Sequence, residues 1–229
     1  MTKKTRRRGQ RSQPVRTARR ADGRLALEMA NVTQSVTLPA DELAAVPGYW
    51  PRMLPERCPT RALLLGLGGG TLAALLTRRC PGVVIVGVEH NAEVLAVARS
   101  DFGLVALAGL EIVEADAFAW VEEHATSEPA SFDLICLDLF DGGRLAPGTL
   151  ARPFLRQVGA LLHPDGVASI NLMSTGRLSE QLHRIGRVFA IERQIRLWGN
   201  LVLHLRHATA PDAGADAIPP PTRSSRAIR

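Results

Sequence analysis

The sequence predicts an α/β protein: a doubly wound, mostly parallel seven-stranded sheet with a C-terminal antiparallel hairpin and a short N-terminal β lead-in. Three observations predict it. From Arg61 onward, short apolar runs alternate with helical patterns. The glycine-rich segment Gly66-Leu67-Gly68-Gly69-Gly70 joins the first such run to the first helical pattern. The last two apolar runs meet at Gly199-Asn200, a dipeptide that signals a tight hairpin.

Taken in order, residues 1–24 carry ten basic side chains against Asp22 alone and show no apolar periodicity. That is the composition of a disordered arm. Leu25–Leu27 and Val32–Leu38 then suggest two short strands, and five prolines between Pro39 and Pro59 confine residues 45–60 to loop or single turns. Ala62–Leu65, Val83–Val88, Ile112–Val113, Leu134–Leu137 and Val167–Asn171 are nearly continuous apolar runs. Such runs suit parallel strands covered on both faces. Helical patterns fill about 70–79, 91–101, 117–125, 149–162 and 177–187, with Asn91 placed to cap the second and Pro164-Asp165-Gly166 to stop the fourth. Val188–Leu197 and Leu201–His207 form the closing hairpin, and 208–229, with Pro219-Pro220-Pro221, has the composition of a disordered tail.

Charge is unevenly placed. The net of +6 averages a basic arm over residues 25–207, which hold 15 basic and 19 acidic groups, a net of −4. Lys3 and Lys4 are the only lysines, so the body has neither a Schiff-base lysine nor a P-loop lysine. Cys58, Cys80 and Cys136 are odd in number and widely spaced, which suggests neither a disulfide framework nor a zinc site and points to a reducing compartment. With no signal peptide and no membrane-spanning run, the expected location is the cytoplasm. The arm could contact a polyanion through phosphate-type bonds, although a solvated tail explains the same charge.

The residues able to do chemistry fall at predicted strand ends. Glycines at 66, 68, 69 and 70 allow a sharp turn and close approach of a ligand to a helix N-terminus, or simply a tight packed turn. Their GxGGG spacing is not the dinucleotide fingerprint. Glu89 ends the second parallel strand, where a carboxylate can accept both hydroxyls of a ribose. Asp116 follows the third and can accept from an adenine amino group, cap the helix after it, or do both. Asp138 and Asp141 close the fourth and can hold a cationic amine or keep an attacking nitrogen deprotonated; for Asp141 a turn-forming role is the alternative.

Four segments together resemble the spermidine synthase (polyamine aminopropyltransferase) family, within the class I S-adenosylmethionine-dependent methyltransferase superfamily. They are Asn31-Val32-Thr33-Gln34-Ser35, Leu65–Leu72, Asp138-Leu139-Phe140-Asp141, and Pro153-Phe154-Leu155 through Leu162–Val167. The resemblance spans about residues 25–205 and makes 61–207 the nucleoside-binding catalytic domain. It implies a donor, S-adenosylmethionine or its decarboxylated form, and no metal. Gln34 and the glycines at 66, 68, 69 and 70 would face that donor, with Glu89 on its ribose and Asp116-Ala117 on its adenine. Asp138 would assist amine attack and Asp141 would hold the amine. Three positions depart from the family pattern. Gly68 replaces the loop Asp that grips the aminopropyl amine, the Tyr-His pair is offset so that Trp50 and Pro51 stand in its place beside Tyr49, and the Pro-Thr-Tyr-Pro segment before Trp198 is missing. The expectation is therefore aminopropyl transfer to a small amine, with methyl transfer or non-catalytic ligand binding as alternatives, and a homodimer possible through the lead-in.

Overall fold

The computed structural model describes residues 14–38, 46–141, 143–173 and 176–208. Three short strands come first: β1 (Val15–Arg19), β2 (Leu25–Met29) and β3 (Val32–Val36), an antiparallel sheet in the order β1-β2-β3. A single helical turn, α1 (Trp50–Met53), follows. The main run is then β4 (Arg61–Leu65), α2 (Thr71–Arg79), β5 (Val84–Glu89), α3 (Ala92–Asp101), β6 (Leu110–Glu114), α4 (Ala117–Ser127) and β7 (Phe132–Leu137). A two-residue hairpin, β8 (Phe140–Asp141) with β9 (Arg144–Leu145), precedes α5 (Arg152–Leu161), β10 (Leu162–Met173), α6 (Leu178–Gly186), β11 (Phe189–Arg196) and β12 (Asn200–His207).

The seven-stranded sheet has the order β11-β12-β10-β7-β4-β5-β6. β10, β7, β4, β5 and β6 run parallel, and β12 and β11 close one edge antiparallel. The strand order reverses between β4 and β7, so the connections that leave their carboxyl ends go to opposite faces of the sheet and leave a crevice, the usual ligand position in such sheets. Alternation along each strand fills a core on both faces. Leu63, Leu65, Ile135 and Leu137 pack toward α4, α5 and α6. Ala62, Leu64, Leu134 and Cys136 pack toward α1, α2 and α3. Each of these leucines is almost fully buried and contributes about 1.5–3 kcal/mol.

The structure corrects the sequence expectations at four places. Residues 15–24 are not disordered: β1 pairs with β2 from Val15↔Met29 to Arg19↔Leu25, and Arg19 Nη1 donates to the Gly23 carbonyl (3.0 Å). Main-chain pairing rather than apolar burial makes this strand, so composition does not reveal it. The rest of the expected arm, residues 1–13, lies outside the described residues, as does the tail from 209. Cys58 and Cys80 form a disulfide that ties the loop before β4 to the end of α2, leaving Cys136 buried and free. Widely spaced cysteines had argued against any bridge, but the fold brings these two together. Pro164-Asp165-Gly166 lies within β10, where the pairing to β7 shifts between Leu162 and Val167, so it forms a bulge instead of ending a helix. The fourth predicted helix starts late, at Arg152 with Pro153 in its first turn, where a missing N–H costs nothing.

Candidate active site

A cleft of about 680 Å³ opens at the carboxyl ends of β4, β5, β6 and β7. Its floor is the turn after β4. Gly66 N and Leu67 N both donate to the Val88 carbonyl (3.0 and 3.1 Å), and Asp138 N donates to the Leu65 carbonyl (2.9 Å). The chain therefore passes so close to β7 that a Cβ on Gly66, at φ 89°, would overlap the Asp138 carbonyl oxygen. Only glycine fits there. Gly68, at φ 54°, turns its N–H onto Glu89 Oε2 (3.0 Å).

The N-terminal sheet is fastened to this turn. Gly69 N donates to Ser35 Oγ (2.7 Å), and Thr71 Oγ1 both accepts from Val36 N (2.7 Å) and donates to the Val36 carbonyl (2.8 Å). Ser35 and Thr71 are buried, so each bond replaces one that water would otherwise supply. The result brings Gln34 into the cleft wall beside Gly68.

Glu89 is buried with both carboxylate oxygens held. Oε1 accepts from His90 N and Asn91 N (3.0 Å each), and Oε2 from Gly68 N. Burial alone would raise its pKa, but the His90 side chain and these backbone donors outweigh it and keep the carboxylate below its ordinary range. Glu89 in turn holds the His90 imidazole above its ordinary value, with the charges of Asp116 and Asp141 adding to the shift against partial burial. Asp116 caps α4, with Oδ1 accepting from Phe118 N and Ala119 N (3.0 Å each). It also lines the cleft beside Ala117, so the two roles foreseen for it are compatible.

Asp138 sits at the opposite wall. Tyr49 Oη donates to Oδ2 (2.8 Å) and Asn171 Nδ2 to Oδ1 (3.0 Å). Burial pushes its pKa from 3.8 up to about 6, and the Asn171 and Tyr49 hydrogen bonds oppose that only in part. Tyr49 is held well above its ordinary value by burial and then by the Asp138 charge. Asp141 lines the cleft from β8, paired with Arg144 across the small hairpin, which is the turn role its sequence context had also allowed.

The structure thus brings Gln34, Gly66, Gly68, Glu89, Asp116, Ala117, Asp138 and Asp141 to one cleft. Gly69 and Gly70 stand behind the wall: Gly69 bonds Ser35, and Gly70, in the left-handed conformation, precedes α2. Tyr49 and Asn171 are the residues that sequence reasoning missed. Tyr49 is the chain's single tyrosine, and its one-position offset from the family pattern does not keep its hydroxyl from Asp138. Asn171 is a polar residue ending a predicted buried strand, a signal that a partner waits there. Among the described residues, the lining holds four carboxylates and neither Lys nor Arg.

No family model matches the chain. It is 32% identical to the polyamine aminopropyltransferase of Chromobacterium violaceum over 152 residues, 66% of this chain and 54% of that protein. A probable spermidine synthase from Corynebacterium glutamicum superposes with a TM-score of 0.74 at 19% identity, covering 92% of this chain and 82% of that one. The chain has the class I methyltransferase fold and resembles the polyamine aminopropyltransferases in sequence. The same fold relates it to human methyltransferase-like protein 13 in complex with SAH, with a TM-score of 0.60, 27% identity, and coverage of 66% of this chain and 72% of that one. The chain spans about half the length of the aminopropyltransferases it matches. Among its described residues, no helix is long and apolar enough to cross a membrane.

Proposed function

We propose that the protein is a transferase that binds an adenosyl sulfonium donor and moves its alkyl group to an amine. The observation that carries this reading is the placement of Asp138, clasped by Tyr49 and Asn171, across one acidic cleft from the Glu89 and glycine-loop wall. The cleft has room for a nucleoside, carries neither Lys nor Arg in its described lining, and offers Glu89 for a ribose and Asp116-Ala117 for an adenine. When bound, the donor supplies an electrophilic carbon beside a positively charged sulfur. Asp138 and Asp141 draw the amine in as a cation. Asp138 takes the ammonium proton and leaves a neutral nitrogen aimed at that carbon. As the nitrogen–carbon bond forms and the carbon–sulfur bond breaks, the electron pair stays on sulfur, so no acid is needed there. Holding the two reactants in line supplies most of the catalysis.

Aminopropyl transfer is the first version of this reading, supported by the kinship to polyamine aminopropyltransferases. A specific observation favours methyl transfer from S-adenosylmethionine as a second. Gly68 has no carboxylate to grip a donor amine, and a Cβ there would sit 3.0 Å from Ser35 Oγ in a left-handed backbone. Calorimetric titration with S-adenosylmethionine, its decarboxylated form and methylthioadenosine, followed by a putrescine assay, tests both. Preference for the decarboxylated donor with product formation supports aminopropyl transfer. Tight binding of intact S-adenosylmethionine without that product supports methyl transfer, and no binding of any adenosyl compound refutes the transferase reading.

A further inference from the structure

The grip on Asp138 includes an amide whose polarity is not built in. A primary amide presents NH2 at one end and a carbonyl at the other, nearly equal in size, so a half-turn of the Asn171 side chain would exchange them. With NH2 inward it favours the ionised carboxylate; with the carbonyl inward it accepts from the neutral acid and repels the ion.

The group that decides lies behind Asn171. Asn200 Nδ2 donates to Asn171 Oδ1 (2.9 Å), which draws the Asn171 carbonyl away from Asp138. The same Nδ2 lies 3.8 Å from Met173 Sδ, an acceptor and not a donor, so both neighbours select the same end of the Asn200 amide. The backbone there is fixed: Asn200 pairs with Met173 in β10, and Leu197 N donates to the Asn200 carbonyl (2.9 Å) across the Trp198-Gly199 turn. Asn171 is buried, so it has no water to rearrange with. A line of hydrogen bonds therefore runs from the tip of the β11–β12 hairpin to the carboxylate.

We propose that Asn200 is a positioning residue that, through Asn171, keeps an N–H on Asp138 and so sets the orientation and proton affinity of its carboxyl group. Asn200 is outside the cleft lining and needs no contact with substrate. The kinetic consequence rests on Asp138 being the group that assists amine attack; the effect on Asp138 itself does not. The titratable groups facing Asp138 are Tyr49, from the turn before α1, and Cys136, on its own strand. Both are raised by burial, so neither ionises between pH 5 and 8. Asp141 shares the cleft, and His90 faces Glu89, Asp116 and Asp141.

The test is a carboxyl-carbon NMR titration of the full chain labelled at aspartate, with Asp138→Asn identifying the resonance. Asn200→Ala frees the Asn171 amide, and Asn200→Asp reverses it by offering an acceptor. The Asp138 midpoint should rise in both, by about one pH unit in the second. An unchanged midpoint in Asn200→Ala overturns the proposal, and so does a rise confined to Asn200→Asp, since added charge alone would produce that. Asn200→Leu, of the same shape as asparagine, replaces the alanine variant should the hairpin fail to form and is judged the same way. In a transferase assay the acidic limb of the rate profile should move with the midpoint while donor affinity stays unchanged. A shifted midpoint with no turnover in any variant or in the native chain would count against the transferase reading and leave the relay standing.

Discussion

Replacing Asp138 with asparagine separates what the carboxyl group does for the fold from what it does for chemistry. The carboxyl has a pKa raised from 3.8 to about 6 in the folded chain. A raised value means the folded state binds the proton more tightly than the unfolded state. The stabilisation is full below about pH 4, lost between about pH 4 and 6, and absent above. A shift of roughly two pH units corresponds to about 3 kcal/mol at 1.36 kcal/mol per unit. Because the carboxyl group keeps some exposure through the cleft, solvent screens part of this and about 1.5–3 kcal/mol is expected. Asparagine has the same shape, never ionises, and can bond both partners, since the Tyr49 hydroxyl accepts as well as donates. Asp138→Asn should therefore melt about 3–10 °C higher than the native chain at pH 8. The two should melt together near pH 4. Glu89 and Asp133 have lowered values and pull the other way, losing stabilisation as pH falls, but they are common to both proteins and cancel in the difference. Turnover should fall at least 100-fold, in the range lost with a general base. Thermal melts from pH 4 to 8 beside a putrescine assay read both effects. A pH-independent gap in melting temperature would refute the buried-carboxyl argument, and normal turnover with the gap intact would remove Asp138 from the chemistry.

Four further outcomes are expected. Tyr49→Phe removes the donor to Asp138 Oδ2; chemical unfolding at pH 8 should show a loss of about 1.5–3 kcal/mol, and the acidic limb of activity should move upward. Glu89→Gln disrupts the carboxylate that ties His90, Asn91 and Gly68 together, so calorimetry should show adenosyl affinity reduced on the order of 10–100-fold. Gly66→Ala drives a methyl group into the Asp138 carbonyl and should cost more than 2 kcal/mol by urea unfolding. Deletion through residue 24 removes β1 and its pairing with β2 and should lower the melting temperature by several degrees.

The parallel strands and most helices were legible because long apolar runs and glycine punctuation are local signals. Glu89, Asp116 and Asp138 were legible for the same reason: each ends such a run, and parallel topology puts those ends on one side of the sheet. What escaped was set by contacts distant in sequence. Tyr49 meets Asp138 across 89 positions, and the offset in its local context hid that. Cys58 and Cys80 meet only because the loop before β4 returns to the end of α2. β1 exists through backbone pairing, for which its side chains carry no pattern.

The Thr71 hydroxyl, shared between the Val36 N–H and carbonyl, joins two pieces of chain that are separate in sequence and sheet. Together with Ser35 on Gly69, it makes the docking of the small sheet and the shape of the glycine turn a single event. Anything that binds against Gly68 must therefore also slow the detachment of β2 and β3. Their amide protons should exchange with solvent more slowly when a nucleoside is present, and loosening that sheet should weaken nucleoside binding by the same free energy.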